Sequence, residues 1–183
     1  MRYFLGLLIA LGLIVLVFIL VLKGFSGQPA TPTKPLVDYA TTNIVAELTI
    51  NGPVIANQTH QALQITVGQS QAQINILQGY EGTVVNTKIY ANNQAAYGVF
   101  LRAIDILNFS KGNADPAKAD ERGYCPEGDS YVYELNNGVK DIERYWATSC
   151  GNQGTFKGNA LIINDLFEKQ IPDYGTLTQS LQL

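Results

Sequence analysis

The stretch that decides the fold is NIVAELTINGPVIANQTHQALQITVGQSQAQINIL, which covers residues 43–77. In residues 43–51 apolar side chains occupy every second position, which is the period of a strand with one buried face. The same alternation recurs in residues 61–67 and 71–77, and glycine-containing turn signals separate the three segments. The stretch therefore predicts three consecutive strands of one sheet.

The pattern then becomes less regular and changes its period. Residues 83–90 favour a fourth strand. In residues 94–108 the apolar positions recur every three or four residues, which indicates an amphipathic helix. Residues 110–127 have no period and are predicted to form a loop.

Two aromatic segments farther along the chain are predicted to form a hairpin. Residues 131–135 and 141–148 are rich in aromatic and β-branched side chains, and Asn136-Asn137-Gly138 between them is a strong turn signal. A final helix is predicted over residues 159–170. This order favours an α+β fold with one antiparallel sheet of five or six strands, covered on one face by two helices.

A long apolar run precedes the predicted strands. Residues 4–22 carry no charged and no hydrogen-bonding side chain. As a helix they would span about 28 Å, close to the bilayer's hydrocarbon thickness of about 30 Å. A cleaved signal peptide is the alternative, but its apolar core is shorter, and Lys23 closes this run without a small-residue cleavage site. The run predicts a transmembrane anchor.

These patterns divide the chain into four parts. Residues 1–23 are the predicted membrane anchor, and residues 24–40 are a proline- and glycine-rich tether. Residues 41–172 are the predicted α+β domain, and residues 173–183 are a C-terminal tail. The expected location is the cytoplasmic membrane, crossed once, with the domain outside the cytoplasm.

Cys125 and Cys150 are the only two cysteines of the chain. Outside the cytoplasm they are predicted to form one structural disulfide, which would join the beginning of the hairpin to its end. They have no Cys-x-x-Cys spacing, which disfavours redox chemistry. Because the charges that flank the apolar run are nearly balanced, the outside location depends on this cysteine pair.

Charge and histidine content exclude several classes of function. After residue 37 the chain has fifteen acidic and nine basic residues, a net charge of −6, which disfavours nucleic acid and anionic lipid as partners. His60 is the single histidine, so the usual zinc sites lack ligands and a Ser-His-Asp relay has one candidate base. We therefore expect no catalytic, metal or cofactor site.

The predicted hairpin and its flanks carry an unusual density of aromatic side chains. Neighbouring Tyr145 and Trp146 point to opposite faces of their strand, so a single helix layer cannot bury both. Core packing explains most such aromatics, but one of the two is a candidate exposed anchor for a partner. The candidate interaction surface consists of Tyr131, Tyr133, Tyr145, Trp146, Phe156 and Lys157.

The chain shows two resemblances, one in this region and one in the order of elements from Glu47 to Phe167. The pattern Cys-Pro-x-Gly-x-x-Tyr-x-Tyr-Glu at 125–134, followed by Trp146 and by Gly-Thr-Phe-Lys-Gly at 154–158, resembles uncharacterised single-span envelope proteins of bacteria. The order of elements is loosely similar to emfourin-type inhibitors of metallopeptidases, which are small α+β domains. The second resemblance implies a peptidase-inhibiting role, but it assigns no residue.

The leading hypothesis is a non-catalytic, membrane-anchored module that binds a protein or envelope component outside the cytoplasm, with peptidase inhibition as a narrower version. The alternative is a structural component of an envelope secretion or pilus assembly, in which the apolar helix itself packs in the membrane. An enzyme of unknown class is a third hypothesis.

Overall fold

A computed structural model describes residues 34–113, 115–151, 153–181 and 183. Pro35–Leu183 form one compact unit. The predicted anchor at residues 4–22 lies outside the described residues, as does most of the predicted tether. Within the described part of the chain, no helix has both the length and the apolar character needed to cross a membrane.

The unit is built on a single antiparallel sheet with the spatial strand order β4-β3-β2-β1-β5-β6. The strands are β1 (Val45–Asn51), β2 (Gln61–Val67), β3 (Gln71–Gln78), β4 (Thr83–Ala91), β5 (Ser130–Asn136) and β6 (Asp141–Thr148). The helices are α1 (Gln94–Ile106), α2 (Ala160–Glu168) and the short α3 (Tyr174–Thr178). One antiparallel sheet of six strands with few helices confirms the predicted α+β class.

One face of the sheet carries the core. Alternate residues of β1, β2 and β3 point to this face, and α1 and α2 cover it. Each helix begins where an asparagine side chain accepts a backbone N–H of the first turn, Asn93 for α1 and Asn159 for α2. The two helices meet in an aromatic contact, because Phe100 of α1 packs edge-on against Phe167 of α2 with ring centroids 5.1 Å apart.

The opposite face of the sheet is polar and hydrogen-bonded across the strands. Gln64 donates to Glu47 at 2.7 Å, Asn75 donates to Gln64 at 2.9 Å, and Gln73 donates to Asn75 at 2.8 Å. Antiparallel sheets commonly leave such a face to solvent. On β5 and β6, however, residues 115–125 fold over it, so the predicted loop at 110–127 acts as a partial second layer.

The folded unit extends beyond the predicted domain at both ends. Leu36 was assigned to the tether, yet its side chain is fully buried and its N–H donates to Asp105 of α1 at 3.3 Å. The predicted tail at 173–183 contains α3, and apolar side chains of this segment pack against the core. The compact unit thus begins at Pro35 and includes the segment after residue 172.

Cys125 and Cys150 form the predicted disulfide, with a Cα–Cα distance of 5.5 Å. The bridge joins the segment that precedes β5 to the segment that follows β6. Gly128 lies against it, because a Cβ built at Gly128 would be 2.4 Å from Ser149 Oγ and 2.7 Å from Cys125 Sγ. A larger side chain at this position would displace the bridge.

Replacing both Cys125 and Cys150 by alanine should lower the free energy of unfolding by about 3 kcal/mol, because the loop they close becomes unconstrained in the unfolded chain. Urea unfolding can be followed by the fluorescence of Trp146, the single tryptophan, which is buried. Val139→Ala, at an exposed turn position, is the matched control. Equal midpoints for the double variant and the unmodified chain would contradict a stabilising role for the bridge.

Candidate functional site

Three members of the predicted aromatic surface are buried, two in the core and Trp146 on the opposite face of the sheet. Tyr133 and Trp146 are fully buried, and Phe156 is 8% exposed. Tyr133 stacks on Phe156 with ring centroids 4.0 Å apart, and its hydroxyl donates to Asn164 of α2 at 2.8 Å. These three side chains are therefore not available to a partner.

Trp146 corrects the expectation of an exposed anchor. Its side chain does point to the face opposite Tyr145, but residues 115–125 cover it there. The indole N–H donates to the carbonyl of Lys118 at 2.7 Å, and the Tyr124 ring lies 4.8 Å away, centroid to centroid. Tyr145 and Trp146 do point to opposite faces of the sheet. Trp146 is nevertheless not exposed, because residues 115–125 form a second layer over it.

The other members of the predicted surface are more accessible. Tyr131 and Tyr145 are half-buried and pack against the edge of the core, while Lys157 is exposed. Gly112 lies against the Tyr145 ring, because a Cβ at Gly112 would be 1.9 Å from Tyr145 Cδ1. The structure thus leaves Lys157 and parts of two tyrosines at the surface, which is not a continuous aromatic patch.

A charged cluster lies on the polar face of the sheet, beneath residues 115–125. Glu47 of β1 and Glu134 of β5 are directly opposite each other in the register. Arg144 of β6 donates to Glu134 at 2.9 Å and to Glu121 at 2.7 Å. Burial, together with the charges of Glu47 and Asp141, raises the pKa of Glu134 to about 7 although Arg144 acts in the opposite direction.

This cluster is packed rather than open. The side chains of Glu134 and Glu121 are each 15% exposed, and the guanidinium between them also donates to the carbonyl of Ala119 at 2.8 Å. A carboxyl group that titrates near neutral pH has the acidity of a general acid or base. Here the group is held by Arg144 under the loop, and the arrangement stabilises the covered face.

The surface that stands out is the outer edge of the sheet formed by β4, which we call the β4 edge (Thr83–Ala91). β4 ends the strand order, so no strand pairs with its outer side among the described residues. Almost all of its side chains are exposed, including Val84, Val85 and Ile89, which are 54%, 52% and 56% exposed. A long, exposed and apolar edge is a template for strand pairing.

Hydrogen bonds between β2 and β3 show which way the β3 backbone faces. The N–H of Gly68 donates to the carbonyl of Gln71, and the N–H of Gly79 donates to the carbonyl of His60, both at 2.9 Å. In an antiparallel pair, hydrogen-bonded positions alternate with positions that face the other neighbour. Gln71 and every second residue after it therefore face β2, and the residues between them face β4.

The register carries this alternation into β4. The residues of β4 that bond to β3 are those opposite Ala72, Ile74 and Ile76, namely Tyr90, Lys88 and Asn86. The residues between them, Thr87, Ile89 and Ala91, direct their N–H and C=O groups away from the sheet. The β4 edge thus offers a row of free backbone donors and acceptors, with the Ile89 side chain on the polar face.

Two features hold the β4 edge in place. On the core side, the Lys88 ammonium and the Tyr90 hydroxyl both bind the Asp173 carboxylate, which precedes α3. At the β3–β4 turn, the Tyr80 hydroxyl donates to the carbonyl of Ile55 at 2.8 Å, and the Tyr80 ring stacks on His60, 4.2 Å centroid to centroid. A partner would therefore meet a preformed strand.

Lys88 is the only charged residue of β4. Edge strands are commonly guarded by lysine, proline or a bulge. Here the ammonium is neutralised by Asp173, no proline is present, and one bulge interrupts the register at Val85, because Leu77 pairs with Val84 and Ile76 pairs with Asn86. From Asn86 to Ala91 the β4 edge is regular and contains no bulge, no proline and no unpaired charge that would oppose strand pairing.

No family model, curated protein or solved structure matches the chain. The similarity to emfourin-type inhibitors and to bacterial envelope proteins therefore stays a prediction. Among the described residues, no group of three or more His, Cys, Asp or Glu side chains is arranged to hold a metal ion. The basis for a function is the chain's own surface.

Stability should depend on pH through Glu134. In the folded state the pKa of Glu134 is raised above its ordinary value of 4.5. The contribution of Glu134 to the free energy of unfolding is therefore fully present below about pH 4.5 and is lost as pH rises through about 7. Glu134→Gln keeps the oxygen that accepts from Arg144 and cannot ionise. We expect urea midpoints to fall between pH 5 and pH 8 (roughly the span of this titration) more in the unmodified chain than in Glu134→Gln.

The matched control is Glu127→Gln, which removes an exposed carboxylate before β5. Its pH dependence should follow that of the unmodified chain. Identical curves for all three proteins would show that Glu134 titrates as a solvated carboxyl and that the cross-strand pair with Glu47 does not raise its pKa.

Proposed function

We propose that this chain is a non-catalytic interaction module, anchored in the cytoplasmic membrane by residues 4–22, that binds an extended protein segment along the β4 edge outside the cytoplasm. The observation that carries the proposal is the outer side of β4, with which no strand of the described residues pairs, together with its row of outward backbone groups and the exposed Ile89. Strand addition to a sheet edge is a general mode of peptide recognition, in which main-chain hydrogen bonds give affinity and side-chain contacts give specificity.

The rigidity of the β4 edge supports this role. A binding element that is ordered before it meets its partner loses less conformational entropy on association. Asp173 holds Lys88 and Tyr90, and Tyr80 holds the preceding turn, so the strand does not have to form on binding. Only the partner segment then loses backbone conformational entropy when the two strands pair.

The chemistry of the β4 edge indicates the chemistry of the partner. Ile89 lies on the polar face of the sheet between uncharged side chains, Thr87 and Ala91. A complementary segment would be extended and uncharged, with a β-branched or aromatic side chain next to Ile89. A charged peptide would find no opposite charge there, since Lys88 is already paired with Asp173.

The proposed location rests on two supports. The run at 4–22 has the length and composition of a transmembrane helix. The Cys125–Cys150 bridge favours an oxidising compartment, since cytosolic proteins of mesophilic organisms rarely keep structural disulfides. Together the two features support a location in which the β4 edge meets envelope or extracellular proteins.

Photocrosslinking in intact membranes tests the proposal. A photoreactive residue at Ile89 of the full chain should give a discrete protein adduct. The same residue at Val99, which is 63% exposed on α1, should give none. If neither Ile89 nor Val85 yields an adduct in membranes of cells that make the full chain, strand addition at the β4 edge is wrong.

Thr87→Pro separates backbone pairing from side-chain contact. Proline removes the outward N–H of Thr87 without removing a backbone bond to β3, and it is tolerated on edge strands. It also removes the Thr87 hydroxyl, which donates to Asn75 of β3. We expect the Ile89 adduct to be lost in Thr87→Pro and kept in Thr87→Val, which loses the hydroxyl but retains the N–H. Equal adduct yields in both variants would mean that the partner contacts side chains without joining the sheet.

A further inference from the structure

We propose that the extended segment bound at the β4 edge is the β4 strand of a second copy of this chain, antiparallel and centred on Ile89. This inference rests on the function proposed above and names its partner. The two sheets would join into one continuous sheet of twelve strands, since each copy contributes six.

The charge of β4 permits self-association. Its only charged side chain, Lys88, is bound to Asp173 of the same chain, and the strand contains no acidic residue. Like charges placed directly opposite each other destabilise an antiparallel pair. Two copies of β4 meet without such a contact, although each domain as a whole is acidic.

The register is fixed by the direction of the backbone groups and by the bulge. A symmetric antiparallel pair can be centred on a residue whose N–H and C=O point outward or on one of the residues between them. Among the residues between them, Asn86 adjoins the bulge, Lys88 would place two lysines directly opposite each other, and Tyr90 would run past the end of β4. This leaves the outward-facing Thr87, Ile89 and Ala91. A pair centred on Thr87 would use the bulged Val85, and a pair centred on Ala91 would run past the end of β4. Ile89 is the centre that uses the regular part of the strand.

The resulting contacts are favourable on both faces. Around this centre Ile89 meets Ile89 of the second copy on the polar face, which removes a large, exposed apolar side chain of the regular segment from water. On the core face Lys88 lies opposite Tyr90 of the second copy, within reach of a cation–π contact. Thr87 pairs with Ala91 of the second copy, which is sterically undemanding.

The place where the chain enters the domain agrees with this symmetry. Leu36 is buried on the helix-covered face, beside α1. Two identical strands that pair antiparallel in one sheet are related by a two-fold axis perpendicular to that sheet. Both helix layers, and both copies of Leu36, then lie on the same side of the joined sheet, which allows both chains to be anchored in one membrane.

Disulfide crosslinking of full chains in membranes tests the pairing. Both native cysteines are in the Cys125–Cys150 bridge, so an introduced cysteine is the only free thiol. In the proposed pair the two Ile89 Cα atoms are about 5.5 Å apart, within the range of about 4.4–6.8 Å that a disulfide spans. Mild oxidation of Ile89→Cys should give a covalent homodimer that contains both tags when two differently tagged copies are co-expressed.

Val99→Cys, an equally exposed aliphatic position on α1, is the control and should remain monomeric. Thr87→Cys and Ala91→Cys test the register. Either variant alone should fail to crosslink, because its two thiols would be about 13 Å apart along the strand. Co-expressed, the two variants should give a mixed dimer.

Each outcome decides the inference. A mixed-tag dimer from Ile89→Cys with the Thr87/Ala91 register supports it, and a dimer from Val99→Cys at the same yield overturns it as random collision. If Ile89 forms photoadducts with a different protein while Ile89→Cys stays monomeric, the second copy is excluded and the proposed function stands. If Ile89 forms neither photoadducts nor disulfides, both the inference and the proposed function fail.

Discussion

The pairing of β1 with β5 is the contact on which the rest of the structure depends. It joins a meander, β1 to β4, to a disulfide-closed hairpin, β5 and β6, through seven register pairs between Val45 and Asn51 on one strand and Ser130 and Asn136 on the other. Only when β5 lies beside β1 do Tyr133 and Leu135 complete the floor under the helices.

That pairing also creates an electrostatic cost. Glu47 and Glu134 are brought opposite each other, and the structure offsets their repulsion from two directions. Gln64 and Thr66 of β2 donate to Glu47, while Arg144 of β6 donates to Glu134. Residues 115–125 then close over the pair and hold the guanidinium. The loop therefore stabilises the join between the two parts as well as covering Trp146.

Local sequence patterns were sufficient to predict most secondary-structure elements and the α+β class. Period-two segments became β1, β2 and β3, the Asn-Asn-Gly signal became the β5–β6 turn, and the two cysteines became a bridge. The layer formed by residues 115–125 could not be foreseen, because it is aperiodic and its bonds to Arg144 and Trp146 join positions more than twenty residues apart. Trp146 was misread for that reason alone.

The candidate site was harder still to predict. An edge strand exposed on both faces has no buried side to impose alternation, so the strand predicted at residues 83–90 shows no regular period although β4 forms there. β4 lies at the edge of the sheet because β5 pairs with β1 and not with β4. Tertiary packing decides between these two pairings, and the sequence pattern of the strands does not. The one local signal was the clustering of Val84, Val85 and Ile89 without a period.

The ion pair between Lys88 and Asp173 links residues 85 positions apart, and this separation matters during synthesis of the chain. β1 to β4 leave the ribosome before Asp173 exists. In that interval the Lys88 ammonium is free, and a free lysine on an edge strand opposes pairing with other chains. Once the last residues have folded onto the core, the charge is neutralised. The chain thus protects its edge from premature association while it is being made, and exposes a neutral edge only when complete.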